Sequence, residues 1–515
     1  MKANGSRFYL SFLNARVNTF FFLLTLFLSF FSRKIFIESF GADFVGLNGT
    51  LVNLLDFLNL AELGIGAAVS VALYQHIIRK DEEAIKEVIA VFGYFYRIVG
   101  YCIVVGGIIV GILLPFIFPD LEFPLLLLYS IYVVYLTNVV IGYFANYKQT
   151  LLGADQKNYV VITYFQTTAI LKTLLQIAIA YYTQNYYLWI AIELVAGICY
   201  SVCLNRKIRQ VYPWLQTDIR KGKVLRAKYP LILQQAKRLF VHKIGTLVQI
   251  QIKPLLIYGF LSLQMVTIYG NYSIIIDKLS QLLSTVLGST GAGIGQLVAE
   301  GNTKHIIRMF HELNAMRYFL AGTIVFSVAI LMNPFVSIWL GASYILPTST
   351  LIIILMNMLM LQTRGTIDQF LYGYGLFQDI WAPIAESFIS LGISLIGGYY
   401  WGLNGILLGS TVSLFLIVVL WKPLLLYRNG FKRSVGNYWV TILKYYAVIG
   451  LAAIVCYELI HLVDMDLPGT FWQWILFALL TVSLFMTVNF LGYYFLCPGF
   501  RAVTLRILNR IQSKK

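Results

Sequence analysis

Fourteen apolar runs follow one another along the chain, at about 17–37, 44–76, 90–118, 122–146, 158–182, 187–205, 240–261, 265–298, 317–340, 347–372, 380–400, 402–427, 440–462 and 470–497. Each approaches the ~20 residues an α-helix needs to cross the hydrocarbon core of a bilayer. In lipid, every backbone N–H and C=O must be satisfied within its own segment, so runs of this length fold as helices. Of the 515 residues, 59% are hydrophobic and 12% charged, against ~45–50% and ~25% in a soluble domain. A soluble core cannot hide that much apolar surface, so the expected fold class is an all-α polytopic membrane protein of about 14 transmembrane helices. The shortest connections fall beside Pro119–Pro124 and Trp401–Gly405.

The formal net charge of +17 would suit a nucleic-acid binder, but its distribution suits a membrane topology. With a cytoplasmic N-terminus, the inner segments hold Lys2, Arg7, Arg16, then Arg79, Lys80, Lys86, then Lys148 and Lys157. Further inner charge lies in the run from Arg206 to Lys228, at Lys304, Arg308, Arg317, from Lys422 to Lys444, and from Arg501 to Lys515. The outer turns carry Arg33 and Lys34 beside Asp43, Asp120, Glu122, Asp464 and Asp466. Positive charge is inside at nearly every crossing. Both termini are expected in the cytoplasm, and no nucleic-acid partner is needed to explain the charge. Cys102, Cys199, Cys203, Cys456 and Cys497 fall in apolar spans without disulfide or metal spacing. "MKANGSR" precedes an apolar run with no A-x-A site, so the first span is expected to stay as an anchor.

The halves are related. "LNARVNTFFFLLTL" and "QQAKRLFVHKIGTL" align Ala15 with Ala236, Arg16 with Lys237, Thr25 with Thr246 and Leu26 with Leu247. The same ungapped offset matches Val45 with Val266, Gly49 with Gly270 and Asp56 with Asp277, and "QTLLG" recurs as "QFLYG" at nearly the same spacing. Two six-span repeats of one orientation form two pseudo-symmetric lobes. The expected organisation is an N-lobe over 1–205, a basic cytoplasmic linker over 206–230, a C-lobe over 231–430, and two C-terminal spans with a basic tail over 431–515.

Charge inside a span is costly and marks function or pairing. On the seventh span His242, Thr246, Gln249 and Lys253 fall on one helical face, and Thr25, Ser29, Ser32 and Arg33 repeat the pattern on the first. The neutral members of these stripes equally suit interhelical hydrogen bonds; Lys253 needs water, a partner or an anionic ligand. Asp56 and Asp277 are repeat-related acids that either pair with a cation or bind a coupling proton or sodium ion. Lys172 and Glu193 lie at comparable depth on consecutive spans, which suggests a mutual ion pair. Arg364 and Asp368, at i,i+4, are placed to satisfy each other. No GxxxxGK[ST] loop, H-E-x-x-H pair or nucleophile–base arrangement stands out, so neither an ATPase nor another enzyme is expected. No cofactor or metal is expected.

"LFVHKIGTLV", "VTIYGNYSIIIDKLSQLL" and "GAGIGQLVAEGN", with "GADFVGLNGTLVNLLDFLNLAELGIGAAVS" earlier, resemble the polysaccharide-exporter branch of the multidrug/oligosaccharidyl-lipid/polysaccharide flippase superfamily. The likeness runs from about residue 8 to 430, and its motifs mark fold rather than chemistry. It implies a flippase of the O-antigen or capsule type, moving an undecaprenyl-pyrophosphate-linked oligosaccharide from the cytoplasmic to the periplasmic face. Two six-helix lobes would form a V around a central cavity and work by alternating access. Partners would be the lipid-linked oligosaccharide, membrane lipids and the polysaccharide-assembly machinery, with a monomer favoured. Lys253 stands where many relatives carry an acidic or neutral residue, which favours an anion-binding role for it and Arg33. A cation-coupled multidrug antiporter of the same fold would call for an acid-dominated cavity, and a lipid II flippase is a further variant. An integral-membrane polymerase or glycosyltransferase would need a large outer loop, and the outer connections here are short.

Overall fold

The computed structural model describes residues 2–58, 64–288, 291–376, 379, 381–462 and 468–512. Their side chains are included except at 2–8, 11, 67, 235, 237–250, 285, 286, 288, 291, 292, 296, 299, 461, 507 and 510–512. Every regular element among the described residues is helical. In chain order they are α1 (Lys2–Phe40), α2 (Ala42–Leu58), α3 (Ile65–Arg79), α4 (Glu82–Ile117), α5 (Leu125–Ala145), α6 (Gln149–Ala154), α7 (Asn158–Tyr182), α8 (Tyr186–Val211), α9 (Gly222–Leu225) and α10 (Pro230–Phe260). There follow α11 (Leu263–Gly288), α12 (Gly291–Ala299), α13 (Thr303–Leu340), α14 (Thr348–Gly373), α15 (Trp381–Leu414), α16 (Lys422–Leu425), α17 (Gly436–Leu462), α18 (Phe471–Leu496) and α19 (Pro498–Gln512).

Ten stretches among the described residues are long and apolar enough to cross a membrane, one of them the 51-residue stretch Trp381–Phe431. That stretch holds two expected spans. The chain reverses at Gly402, whose φ of 55° and ψ of −131° suit a residue without Cβ. Beyond the turn the two arms touch backbone to backbone. A Cβ on Gly405 would overlap the Gly397 carbonyl, and Ser394 donates to the Ile406 carbonyl at 2.7 Å. Small residues at the contact permit that approach. The expected second and eighth spans correspond to α2 with α3, and α11 with α12. The seventh is α10.

The internal repeat is visible in the helix starts. α11 begins 221 residues after α2, and α13 begins 221 residues after α4.

The chain packs as two compact units divided between Thr267 and Ile268. In the first, an inner core gathers Phe92, Leu73, Leu152 and Leu204. A second cluster at the other end stacks Phe40, Phe44, Tyr186 and Trp189, with ring centroids 4.8–5.6 Å apart for the closest pairs. Helix starts are capped. Asp81 accepts from the Ala84 N–H ahead of α4, with Glu82 and Glu83 in its first turn favoured by the helix dipole. Asn14 of α1 accepts from the Tyr159 N–H at 2.6 Å, so a residue on one span caps another. The basic stretch expected as a linker at 206–230 folds back onto α4, and Gly222 lies so close that a Cβ would overlap the Ala90 carbonyl oxygen. α10 packs on α2 and α3, so this unit runs past the linker and takes in the seventh span.

In the second unit α17 and α18 seat on α13. Phe326 and Phe485 stack at 3.9 Å, Tyr445 lies against Tyr493, and Asn489 donates to the Phe319 carbonyl and to Thr323. α19 follows the last span and is tied to α13 by an Arg506–Glu312 ion pair at 2.9 Å. Across both units large apolar side chains such as Phe27, Ile112, Leu126 and Leu476 remain exposed, as lipid-facing surface requires.

Candidate functional site

A cavity of about 720 Å³ opens inside the first unit between α3, α5, α6, α7 and α8. α7 supplies one wall: Val161, Phe165, Thr168 and Lys172 recur at helical spacing on one face. From Asn158 to Lys172 this wall rises about 21 Å at ~1.5 Å per residue. At one end stand Gln149, Thr150 and Asn158; Asn138 lies toward the middle; Lys172 and Glu193 close the other end.

The polar groups are held by their neighbours. Gln149 Oε1 accepts from the Tyr200 hydroxyl at 3.0 Å, and Asn146 Oδ1 accepts from Ser201 at 2.7 Å and Asn205 at 3.0 Å. Just beyond, the Tyr212 hydroxyl donates to Asp155 at 2.7 Å, and Lys157 reaches the same carboxylate. Burial first, then that bond, pushes the Tyr212 hydroxyl well above its ordinary pKa and keeps it a donor.

Lys172 Nζ lies 2.9 Å from Glu193 Oε1, with side-chain exposures of 24% and 14%. Gln176 donates to Glu193 Oε2 at 3.2 Å, and Asn138 donates to the Glu193 backbone carbonyl at 3.2 Å. Gly197 makes this possible, because a Cβ there would overlap Asn138 Oδ1. Lys172 and Glu193 are the lysine and the carboxylate of the cavity lining, and they neutralise each other.

On α1 the polar stripe is largely satisfied by its own backbone. Thr25 donates to the Phe21 and Phe22 carbonyls at 2.8 and 3.2 Å, Ser29 to Leu26, and Ser32 to Ser29. Arg33 donates from Nη2 to the Thr267 carbonyl at 3.2 Å. Asp56 on α2 accepts from Gln251 of α10 at 3.5 Å. His242, Thr246 and Gln249 lie on α10 with side chains outside those described. Lys253, on the same helix one residue before Pro254, has no carboxylate and no hydrogen-bond partner among the described residues.

In the second unit Asp368 is the centre of a charge cluster. It accepts from Arg364 Nε at 2.7 Å and from Lys422 Nζ at 2.5 Å, while Arg364 Nη1 lies 3.9 Å from Glu386. Arg317 is buried nearby and donates to the Gln362 carbonyl at 3.2 Å, its guanidinium lying over Gly365. Lys422 stands between two stretches of wider π-type turns, Phe415–Trp421 and Leu426–Phe431, a distortion that accompanies functional positions in helices. Asp277, the repeat mate of Asp56, lies on α11.

Sequence patterns alone did not select Lys422 and Glu386, nor the cavity residues Asn138, Gln149, Phe165 and Tyr200. Lys422 reads as a cytoplasmic flank of its span. The α7 face from Val161 to Lys172 did carry a usable signal, since its periodicity points Lys172 and the Thr168 hydroxyl one way.

A second cavity, about 520 Å³, lies in the first unit between Asp43, Asp120, Glu122 and the rings of Phe116, Phe123 and Tyr258.

These features belong to a known class of membrane fold. The chain is similar to a solved lipid II flippase in an inward closed conformation, with a TM-score of 0.66 over 94% of this chain and 99% of that one, at 14% identity. It is also similar to a multidrug-resistance transporter of the MATE family, within the MOP superfamily, in an inward-facing conformation. There the TM-score is 0.59 over 79% of this chain and 95% of that one, again at 14% identity. No family model matches, and no curated protein matches. At such identity the likeness establishes the fold alone: this is a multi-pass α-helical membrane protein folded like those transporters.

Proposed function

We propose that the chain is a flippase that moves an undecaprenyl-pyrophosphate-linked oligosaccharide across the bacterial cytoplasmic membrane by alternating access, for surface polysaccharide assembly. Both termini are cytoplasmic, and the protein works as a monomer alongside the assembly machinery. The observation that carries the reading is the contrast between its intramembrane charges. Glu193 and Asp368 have cationic partners and Asp56 has an amide donor, whereas Lys253 has no partner among the described residues. A lysine within a span is retained where something supplies negative charge, and a pyrophosphate-linked substrate brings it. Arg33 and the polar groups at Thr25, His242, Thr246 and Gln249 belong to the same anion path. The structural likeness to a lipid II flippase, which extends over more of the chain than the likeness to the multidrug transporter, supports a lipid-linked substrate.

A cation-coupled multidrug antiporter is the competing reading. It requires an acid that is free to exchange a cation for drug, and the cation-paired states of Glu193 and Asp368 weigh against it. We assign any coupling proton or sodium ion to the repeat-related acids Asp56 and Asp277.

The test is flipping of a labelled lipid-linked oligosaccharide in proteoliposomes. Lys253→Ala lowers it with expression unchanged, and Lys253→Arg retains part of it. Undiminished flipping by Lys253→Ala rejects the anion role. A wild-type protein that exports cationic dyes and flips no lipid-linked glycan replaces the flippase by the antiporter.

A further inference from the structure

The cavity of the first unit has a chemistry distinct from that of Lys253. We propose that it is a carbohydrate site, taking uncharged, hydroxyl-rich sugar rings; that these rings are the head of a lipid-linked substrate rests on the flippase reading, while the site itself rests on its lining.

The volume, about 720 Å³, lies within the ~300–1,000 Å³ of small-molecule sites. Its polar lining is dominated by the amides of Asn138, Asn146, Gln149 and Asn158 and the hydroxyls of Thr150 and Thr168. An amide both donates and accepts, as a hydroxyl does, so such a surface matches a ligand whose every ring carries hydroxyls of both roles. Asn138 has its Oδ1 buried and an amide N–H engaged by the Glu193 carbonyl, whereas Gln149 has functionality left over. Gln149 spends its Oε1 on Tyr200, which leaves its NH₂ to donate. Phe165, 52% exposed, and Tyr200 meet edge to face with centroids 5.4 Å apart. Their rings form an apolar corner among the amides, suited to the C–H face of a sugar.

Other occupants fit less well. A lipophilic cation needs a carboxylate, and Glu193 is engaged by Lys172 and Gln176. A phosphate needs a cation, and Lys172, the lysine of this lining, is held by Glu193 at 2.9 Å. An acyl chain would leave the amides without partners, at a cost for each one desolvated.

The experiment uses the full chain in lipid nanodiscs, free of sugar-based detergent. Binding of maltotriose and of triacetylchitotriose is measured by saturation-transfer NMR and calorimetry, with tetraphenylphosphonium and inorganic pyrophosphate as competitors. At least one trisaccharide is expected to bind, and neither competitor to displace it. Gly142→Phe should abolish binding, since a Cβ at Gly142 meets nothing within 4 Å and the ring projects into the space. Gln149→Leu should weaken binding about tenfold through lost hydrogen bonding. Unchanged thermal unfolding of both variants separates filling of the site from misfolding. The proposal is overturned if neither trisaccharide binds the wild type, if Gly142→Phe binds as well as the wild type, or if either competitor displaces the sugar. Flipping of lipid-linked oligosaccharide is scored separately. Sugar binding without flipping sinks the flippase reading and supports the site; flipping without sugar binding sinks the site and leaves the flippase standing.

Discussion

Replacing Glu193 by glutamine keeps the shape of the side chain and removes the charge opposite Lys172. At 2.9 Å, the gross attraction at an effective dielectric constant near 20 is about 6 kcal/mol. Desolvating both groups cancels most of it, so the pair itself adds little net stability. Breaking it is another matter, because Lys172 then remains inside the protein without a counter-charge. In a sealed interior that costs ~3–5 kcal/mol. Here the side chains keep 24% and 14% of their exposure beside a cavity, so water relieves part of the penalty and about 2–3 kcal/mol is expected. The amide oxygen introduced by Glu193→Gln would still accept a hydrogen bond from Lys172 or Gln176, which limits the loss further. Lys172→Met should cost a similar amount by stranding the carboxylate. The double variant should then cost less than the two singles together, with a coupling of about 2 kcal/mol. Denaturant unfolding in nanodiscs, followed by tryptophan emission, measures all three. Single costs that add to within ~0.5 kcal/mol in the double variant would refute the claim that these two charges exist for each other.

Asp368→Asn should be the most damaging single change in the second unit, at ~3–5 kcal/mol, because it leaves Arg364 and the buried Lys422 side by side. Adding Lys422→Met should recover much of that loss in the same unfolding assay, and no recovery would mean that Asp368 stabilises by some route other than charge. Gly46→Ala drives a Cβ into the Leu263 carbonyl oxygen. Backbone has to move, so the unfolding midpoint should fall by the equivalent of ~1–3 kcal/mol; an unchanged midpoint would contradict so close a contact. Gly197→Ala collides with Asn138 Oδ1 and should dislodge the amide from the Glu193 carbonyl at a cost of ~1–2 kcal/mol. Combining it with Asn138→Ala should cost little more than Asn138→Ala alone, and a larger combined loss would place the clash elsewhere.

The helices were legible because burial in lipid leaves the backbone one solution, which turns an apolar run into a span without reference to its neighbours. The repeat was legible for a related reason. An offset of 221 residues in the sequence reappears as the spacing of helix starts, since insertions in short inter-span turns would have shifted it. Trp401–Gly405 was readable as a break, although the form of the break, a reversal at a single glycine, depends on Gly397 and Gly405 meeting across it. The charged pairs were partly readable: equal depth suggests Lys172 with Glu193, and i,i+4 spacing suggests Arg364 with Asp368.

What escaped the sequence depends on contacts between distant segments. Lys422 follows a span and resembles any flanking lysine that orients a helix, yet its amine meets Asp368, 54 residues away. The stretch at 206–230 reads as a polar linker because it lacks an apolar run, yet Gly222 lets it close onto α4. The cavity was the least legible feature, for its amides come from α5, α6, α7 and the turns between them, and no one helix carries the pattern.

Hydrophobic length and period are local properties that lipid reads directly, so the helices and their internal repetition follow from the order of residues alone. Packing settles the rest: which charges are neutralised, where a cavity opens and which side chains line it. Those outcomes turn on ångström-scale approaches between helices, with Gly197 under Asn138, Lys172 beside Glu193 and Lys422 against Asp368. Each requires the backbones on both sides to be in place first, and no linear pattern encodes that.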